Sequence, residues 1–142
     1  MNNLMIDLES MGKKPNAPIV SIGAVFFDPQ SGELGQEFYT AVNLESAMEQ
    51  GAVPDGDTIL WWLRQSSEAR SAICVDDAMP ISSALSELSH FINRHSDNPK
   101  YLKVWGNGAT STTLYCAEHM SVPARFARGN FGMITTSEPS SH

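Results

Sequence analysis

Apolar and polar residues follow each other along this chain in patterns that predict one α/β domain. Short runs rich in β-branched and aromatic residues predict four strands, near residues 3–8, 18–28, 36–42 and 102–106. Apolar residues at helical spacing predict helices near residues 57–65 and 81–95. Strands that alternate with helices indicate a mixed sheet with helices packed against it.

The first predicted strand ends in two acidic residues. Side chains alternate across a strand, so Asp7 and Glu9 point to the same side, with Cα atoms about 7 Å apart. Two carboxylates on one face of a buried strand repel each other unless protons or a cation compensate. Oxygen ligands favour a hard cation, Mg²⁺ or Mn²⁺. At this point the alternative stays open that both acids simply reach solvent at the strand end.

Two adjacent tryptophans lie in the first predicted helix, for which Asp57 is the expected N-cap. Trp61 and Trp62 are about 100° apart on a helix, so one is expected in the core and the other at its rim. An exposed indole can stack on a nucleobase. The alternative is that both rings are packing residues, and the pattern favours this for Trp62.

Composition narrows the function classes. The chain has 142 residues, 42% of them hydrophobic, which suits one domain with a core of its own. It shows neither a signal-peptide pattern nor an apolar run of membrane-spanning length, and two cysteines give no disulfide framework, so we expect the reduced cytoplasm and no membrane. A net charge of −7 argues against a broad electrostatic grip on nucleic acid, but it permits an enzyme that engages a few nucleotides at a metal centre.

The opening Met5-Ile6-Asp7-Leu8-Glu9-Ser10, followed by the strand and turn of residues 16–32, resembles the DnaQ-like (DEDD) 3′-5′ exonucleases. The similarity is greatest to the prophage-encoded and mycobacterial exoribonuclease-type members. It implies a ribonuclease H-like fold and a two-metal site of Mg²⁺ or Mn²⁺, with Asp7 and Glu9 as catalytic metal ligands. It also implies single-stranded or 3′-overhanging RNA or DNA as partner, bound by Ser10, Trp61 and Asn107, and it raises the expectation of a homodimer.

The resemblance stops near Thr110. In the family, a strand ending Trp-Gly-Asn-Gly-Ala leads into a helix that begins Phe-Asp-Asn, and a His-x-x-x-Asp motif follows. No aspartate occurs after Asp97 in this chain, so neither later motif can be assigned. Suitable synonymous codons for residues 111–120 would encode Phe-Asp-Asn-Val-Ile-Leu-Arg-Gly-Ala-Tyr in a neighbouring reading frame. We therefore interpret the tail as the product of a one-base deletion; the alternative is a tail that has genuinely diverged from the family.

The predicted organisation follows from this break. Residues 1–110 are the N-terminal part of an exonuclease domain, whose mixed sheet is incomplete on its C-terminal side, and residues 111–142 are a loosely ordered tail outside the family. Three functions remain open. The first is a 3′-5′ exonuclease that releases nucleoside monophosphates. The second is a catalytically inactive remnant that binds nucleic acid ends or a protein partner. The third, ranked last, is another metal-dependent phosphodiesterase or an unrelated acidic binding module.

Overall fold

The computed structural model describes residues 1–106 and the backbone of residues 131–133. Five strands form one sheet in the order β3-β2-β1-β4-β5. They are β1 Asn3–Ser10, β2 Ile19–Phe27, β3 Leu34–Ala41, β4 Lys103–Gly106 and β5 Phe131–Met133. The four strands predicted from the sequence are confirmed, and β5 is an addition. Asn107 and the predicted loosely ordered tail, apart from the backbone of β5, lie outside the described residues.

The sheet is mixed, as predicted. β1 pairs in parallel with β4, from Asn3 opposite Lys103 to Ile6 opposite Gly106, and β4 pairs in parallel with β5. β2 lies between β1 and β3, and the connections to them are shorter than the dozen or so residues that a parallel crossover needs. Both of these pairings are therefore antiparallel.

Four α-helices and one short 3₁₀ helix belong to the described residues. They are α1 Leu44–Glu49, α2 Gly56–Leu63, α3 Ser67–Ile73, α4 Ile81–His95 and the 3₁₀ helix Pro99–Tyr101. The two predicted helices correspond to α2 and α4. The predicted N-cap of α2 was wrong, because Asp55 and not Asp57 occupies that position. Among the described residues, no helix combines the length and the apolar character needed to cross a membrane.

Residue contacts divide the chain into two compact units. The first unit contains Met1–Asp7, Gly23–Phe38 and the described residues from Leu85 onward. Its aromatic core is built on α4, where the ring of Phe91 lies 5.3 Å from that of Phe26 and 5.4 Å from that of Phe38. The apolar residues at helical spacing in α4 are all buried, namely Ile81, Ala84, Leu85, Leu88, Phe91 and Ile92.

The second unit contains Leu8–Ile22 and Tyr39–Ala84. Met11, Val20 and Trp62 form its buried cluster, and Leu44, Trp61 and Ile73 pack against it. This unit therefore contains three of the residues assigned to the site from the sequence, namely Glu9, Ser10 and Trp61.

Candidate active site

The acidic pair lies at the end of β1, the middle strand of the sheet. Burial alternates from Leu4 to Asp7: Leu4 and Ile6 are 0% and 1% exposed, whereas Met5 is half-buried and Asp7 is exposed. Glu9 follows two residues later and is half-buried. Strand alternation would put both acids on the face opposite Leu4 and Ile6, and this shared face stays a prediction.

A divalent cation would find only part of a binding site on this strand. Among the residues that the structure describes, no group of three or more His, Cys, Asp or Glu side chains is arranged to hold a metal ion. Mg²⁺ prefers about six oxygen ligands in near-octahedral geometry. Asp7 and Glu9 have the right ligand chemistry for such a cation, and further oxygens must complete its coordination.

Ser10 is fixed by the turn that follows β1. Its hydroxyl donates a hydrogen bond to the carbonyl oxygen of Gly12 at 2.7 Å. Its own carbonyl oxygen accepts a hydrogen bond from the indole Nε1 of Trp62 at 3.1 Å. The end of the acidic strand is thereby fastened to α2, and the role of Ser10 in binding substrate stays a prediction.

The two tryptophans divide as the helical pattern predicts. Trp62 is 8% exposed and belongs to the buried cluster, whereas Trp61 is half-buried at its rim. The rings meet edge to face, with centroids 5.1 Å apart and an interplanar angle of 83°. Trp62 therefore contacts both Ser10 and Trp61. The use of Trp61 as a stacking surface stays a prediction.

Asp55 is a structural residue that sequence reasoning missed. Its carboxylate Oδ2 accepts a hydrogen bond from the backbone N–H of Lys13 at 2.8 Å, and its own N–H donates to the carbonyl of Met11 at 2.9 Å. The carboxylate makes no capping hydrogen bond to α2, although Asp55 occupies the N-cap position. The sequence treats this position as part of a plain connection, because its partners lie more than forty residues earlier.

Lys13 is held by its side chain as well. Its Nζ lies 3.0 Å from Oδ2 of Asp57, and this hydrogen bond holds the pKa of the Asp57 carboxyl below its usual range. A Cβ at Gly12 would lie 2.8 Å from Cβ of Ala17, so the neighbouring position admits only glycine without a shift. We call Asp55, Asp57 and Trp62 the strand-end clamp, since together they hold residues 10–13.

Comparisons with known proteins identify the family and the fold. A family model described as the 3′-5′ exoribonuclease Rv2179c-like domain matches residues 2–131, a range that runs past residue 110. An exodeoxyribonuclease of Enterobacteria phage T4 is 27% identical over 116 residues, which are 76% of this chain and 51% of that protein. The chain thus spans about half the length of the curated relative that it matches.

Solved exonuclease structures share the fold. E. coli Exonuclease I in complex with a dT13 oligonucleotide superposes with a TM-score of 0.57 at 12% identity, covering 92% of this chain and 27% of that one. The nuclease domain of 3′hExo, a DEDDh family member bound to rAMP, gives 0.55 at 13% identity over 85% of this chain and 61% of that one. The predicted ribonuclease H-like fold is confirmed. With the family match covering most of its length, the chain belongs to the 3′-5′ exoribonuclease Rv2179c-like domain family.

Proposed function

We propose that this chain carries one wall of a metal-dependent 3′-5′ exonuclease site, with Asp7 and Glu9 as metal ligands. The observation that supports this most is that β1, the strand that carries both acids, is the middle strand of the sheet, with Asp7 exposed and Glu9 half-buried. The family to which the chain belongs supplies the reaction class. The residue roles are our own assignment.

The proposed reaction is hydrolysis of the last phosphodiester bond of a strand. Water attacks the phosphorus, the 3′ oxygen of the shortened strand leaves, and a nucleoside monophosphate is released. A bound divalent cation, Mg²⁺ or Mn²⁺, would supply charge stabilisation and an acidified water. Asp7 and Glu9 would hold this cation from one side only, because they belong to one strand.

The proposed substrate is the 3′ end of a single-stranded or overhanging RNA or DNA. The matching family is described as exoribonuclease, whereas the phage relative is an exodeoxyribonuclease, so both RNA and DNA should be tested as substrates. Trp61 would stack on a terminal base, and the backbone at Ser10 would fix its position. Asn107, which lies outside the described residues, is assigned the same role on sequence grounds.

Three further expectations complete the proposal. They are a cytoplasmic location, an origin in a prophage and assembly as a homodimer. The homodimer is supported by the family resemblance. Sedimentation of the purified chain measures its oligomeric state directly, and a monomer at high micromolar concentration would contradict this expectation.

A second function is favoured by one observation on the sequence. No aspartate follows Asp97, whereas the resembled family needs two more acidic motifs. We propose that the 142-residue chain therefore binds 3′ ends without hydrolysing them. Hydrolysis would return when the reading frame after codon 110 is restored. Sequencing the gene across codons 105–115 tests this interpretation at the level of the DNA.

A manganese titration of the purified chain tests the ligand assignment. Mn²⁺ binding, followed by electron paramagnetic resonance, should occur with a dissociation constant of about 1 mM, because two carboxylates make a weak site. Asp7→Asn or Glu9→Gln should each weaken it at least tenfold. Asp28→Asn, which changes an acid in the β2–β3 turn, is the matched control. Equal affinity in all four proteins would contradict the assignment.

A further inference from the structure

One stripe of α2 carries a regular series of side chains. Asp57, Trp61 and Arg64 follow each other at spacings of four and three residues, so they lie on the same side of the helix. Leu60, which is 53% exposed, lies beside them. Arg64 is exposed and Trp61 is half-buried. From Asp57 to Arg64 the stripe is about 10 Å long, at roughly 1.5 Å per residue.

The side chain of Lys13 places a cation at the N-terminal end of this stripe, although Lys13 itself does not belong to α2. The Nζ of Lys13 lies 3.0 Å from Asp57, and the two side chains are 73% and 66% exposed. An ion pair as exposed to solvent as this one is weak, so a competing anion can replace the carboxylate. The backbone of Lys13 would stay in place during this exchange, because Asp55 holds it independently at 2.8 Å.

The stripe thus reads cation, aromatic and aliphatic surface, cation. Sites for single-stranded nucleic acid combine these two elements: basic groups follow the phosphates, and apolar rings stack on the bases. We propose that Lys13 and Arg64 bind phosphates of a single-stranded nucleic acid on either side of a base stacked on Trp61. We call these three residues the phosphate track. The inference rests on the proposed function, which supplies the nucleic acid.

Asp57 then has a second role besides fastening Lys13. Its carboxylate competes with the phosphate for the same ammonium group. The chain carries a net charge of −7, so its affinity depends on local contacts of this kind and not on a broad basic surface. Removing the competitor should therefore strengthen binding, provided that Lys13 is present.

Fluorescence anisotropy tests the track on the full 142-residue chain, with labelled twelve-nucleotide single strands of RNA and of DNA at several salt concentrations. Lys13→Met and Arg64→Met should each weaken binding about fivefold and reduce the log–log salt slope by about 1. Arg70→Met changes an exposed cation in α3 that lies off the stripe, and should leave binding within twofold.

The charge-matched acid variants give the sharper comparison. Asp57→Asn should strengthen binding several-fold, whereas Asp77→Asn, at another exposed acid of the same unit, should do so less than twofold. In the Lys13→Met background the gain from Asp57→Asn should vanish. An equal gain in both backgrounds would show a general charge effect and would overturn the competition.

Two other outcomes would also overturn the track. One is binding by the unaltered chain that Lys13→Met and Arg64→Met change no more than Arg70→Met does; this leaves the proposed function standing. The other is the absence of binding to either strand. In that case the manganese titration, which needs no nucleic acid, still decides whether Asp7 and Glu9 form the proposed metal site. A thermal melt of each variant confirms that it is folded.

Discussion

Replacing Gly12 by alanine should destabilise the loop that follows the acidic strand. The added Cβ would lie 2.8 Å from Cβ of Ala17 and 3.3 Å from Oδ2 of Asp55. Carbon atoms in favourable contact are about 3.5–4.0 Å apart, so a displacement of roughly 0.7 Å or more must be absorbed. The loop resists it, because the N–H of Ala17 is bonded to the carbonyl of Lys14 at 3.0 Å. Overpacking of this size costs about 1–3 kcal/mol.

The net loss for Gly12→Ala should be about 1–2 kcal/mol, since alanine also restricts the unfolded chain by roughly 0.4–1 kcal/mol. Ala17→Gly removes the clashing Cβ and should alone cost about 0.5–1 kcal/mol. The double variant should then be at least about 1 kcal/mol more stable than the sum of the two single effects predicts. Urea unfolding followed by tryptophan fluorescence measures all four free energies. Additivity within about 0.5 kcal/mol would refute the steric reasoning.

Three more predictions concern the same region and the acidic strand. Trp62→Phe removes the indole donor from the part-buried carbonyl of Ser10 and should lower the free energy of unfolding by about 1–3 kcal/mol in urea titrations; a loss below about 0.5 kcal/mol would contradict the strand-end clamp. Lys13→Met should raise the pKa of Asp57 toward its usual value, as carboxyl NMR titration can show. Because the folded-state pKa is depressed, the stabilisation from Asp57 is complete at neutral pH and is lost as pH falls through that pKa. An Asp57 pKa that is the same in the variant as in the parent would contradict the pairing. Asp7→Ala should leave unfolding within about 0.5 kcal/mol of the parent, since the side chain is exposed, and a large drop in melting temperature would argue for a structural role instead.

Local patterns predicted most of the regular structure. The helix over residues 81–95 is found at those bounds, because its apolar residues recur at helical spacing over four turns. β1 follows from a continuous apolar run that ends in two acids. β5 was not predicted: Phe131–Met133 is only three residues long, contains a glycine and pairs with β4, which lies far away in the sequence.

In the candidate site, too, some features follow from local sequence patterns and others depend on contacts between distant residues. The shared face of Asp7 and Glu9 follows from strand alternation alone. The contacts of Lys13 with Asp55 and Asp57 join residues 42 and 44 positions apart, so local sequence patterns cannot predict them. Asp57 looked like an N-cap because acidic residues favour that position, yet its carboxylate pairs with Lys13. Asp55 has the extended backbone of an N-cap but makes no capping hydrogen bond, and the carboxylates of both aspartates accept hydrogen bonds from Lys13.

The central proposal is that Asp7 belongs to an exonuclease metal site whose remaining acids were lost with the reading frame. Its most direct test measures mononucleotide release from 3′-labelled RNA and DNA oligomers, with Mg²⁺ or Mn²⁺ and with EDTA as a blank. Three proteins are compared: the 142-residue chain, the frame-restored protein and its Asp7→Ala variant. We expect metal-dependent release from the frame-restored protein only, because in-line displacement needs ligands on every side of the metals. Metal-dependent release by the 142-residue chain, or by the Asp7→Ala variant at the rate of its parent, would contradict the account.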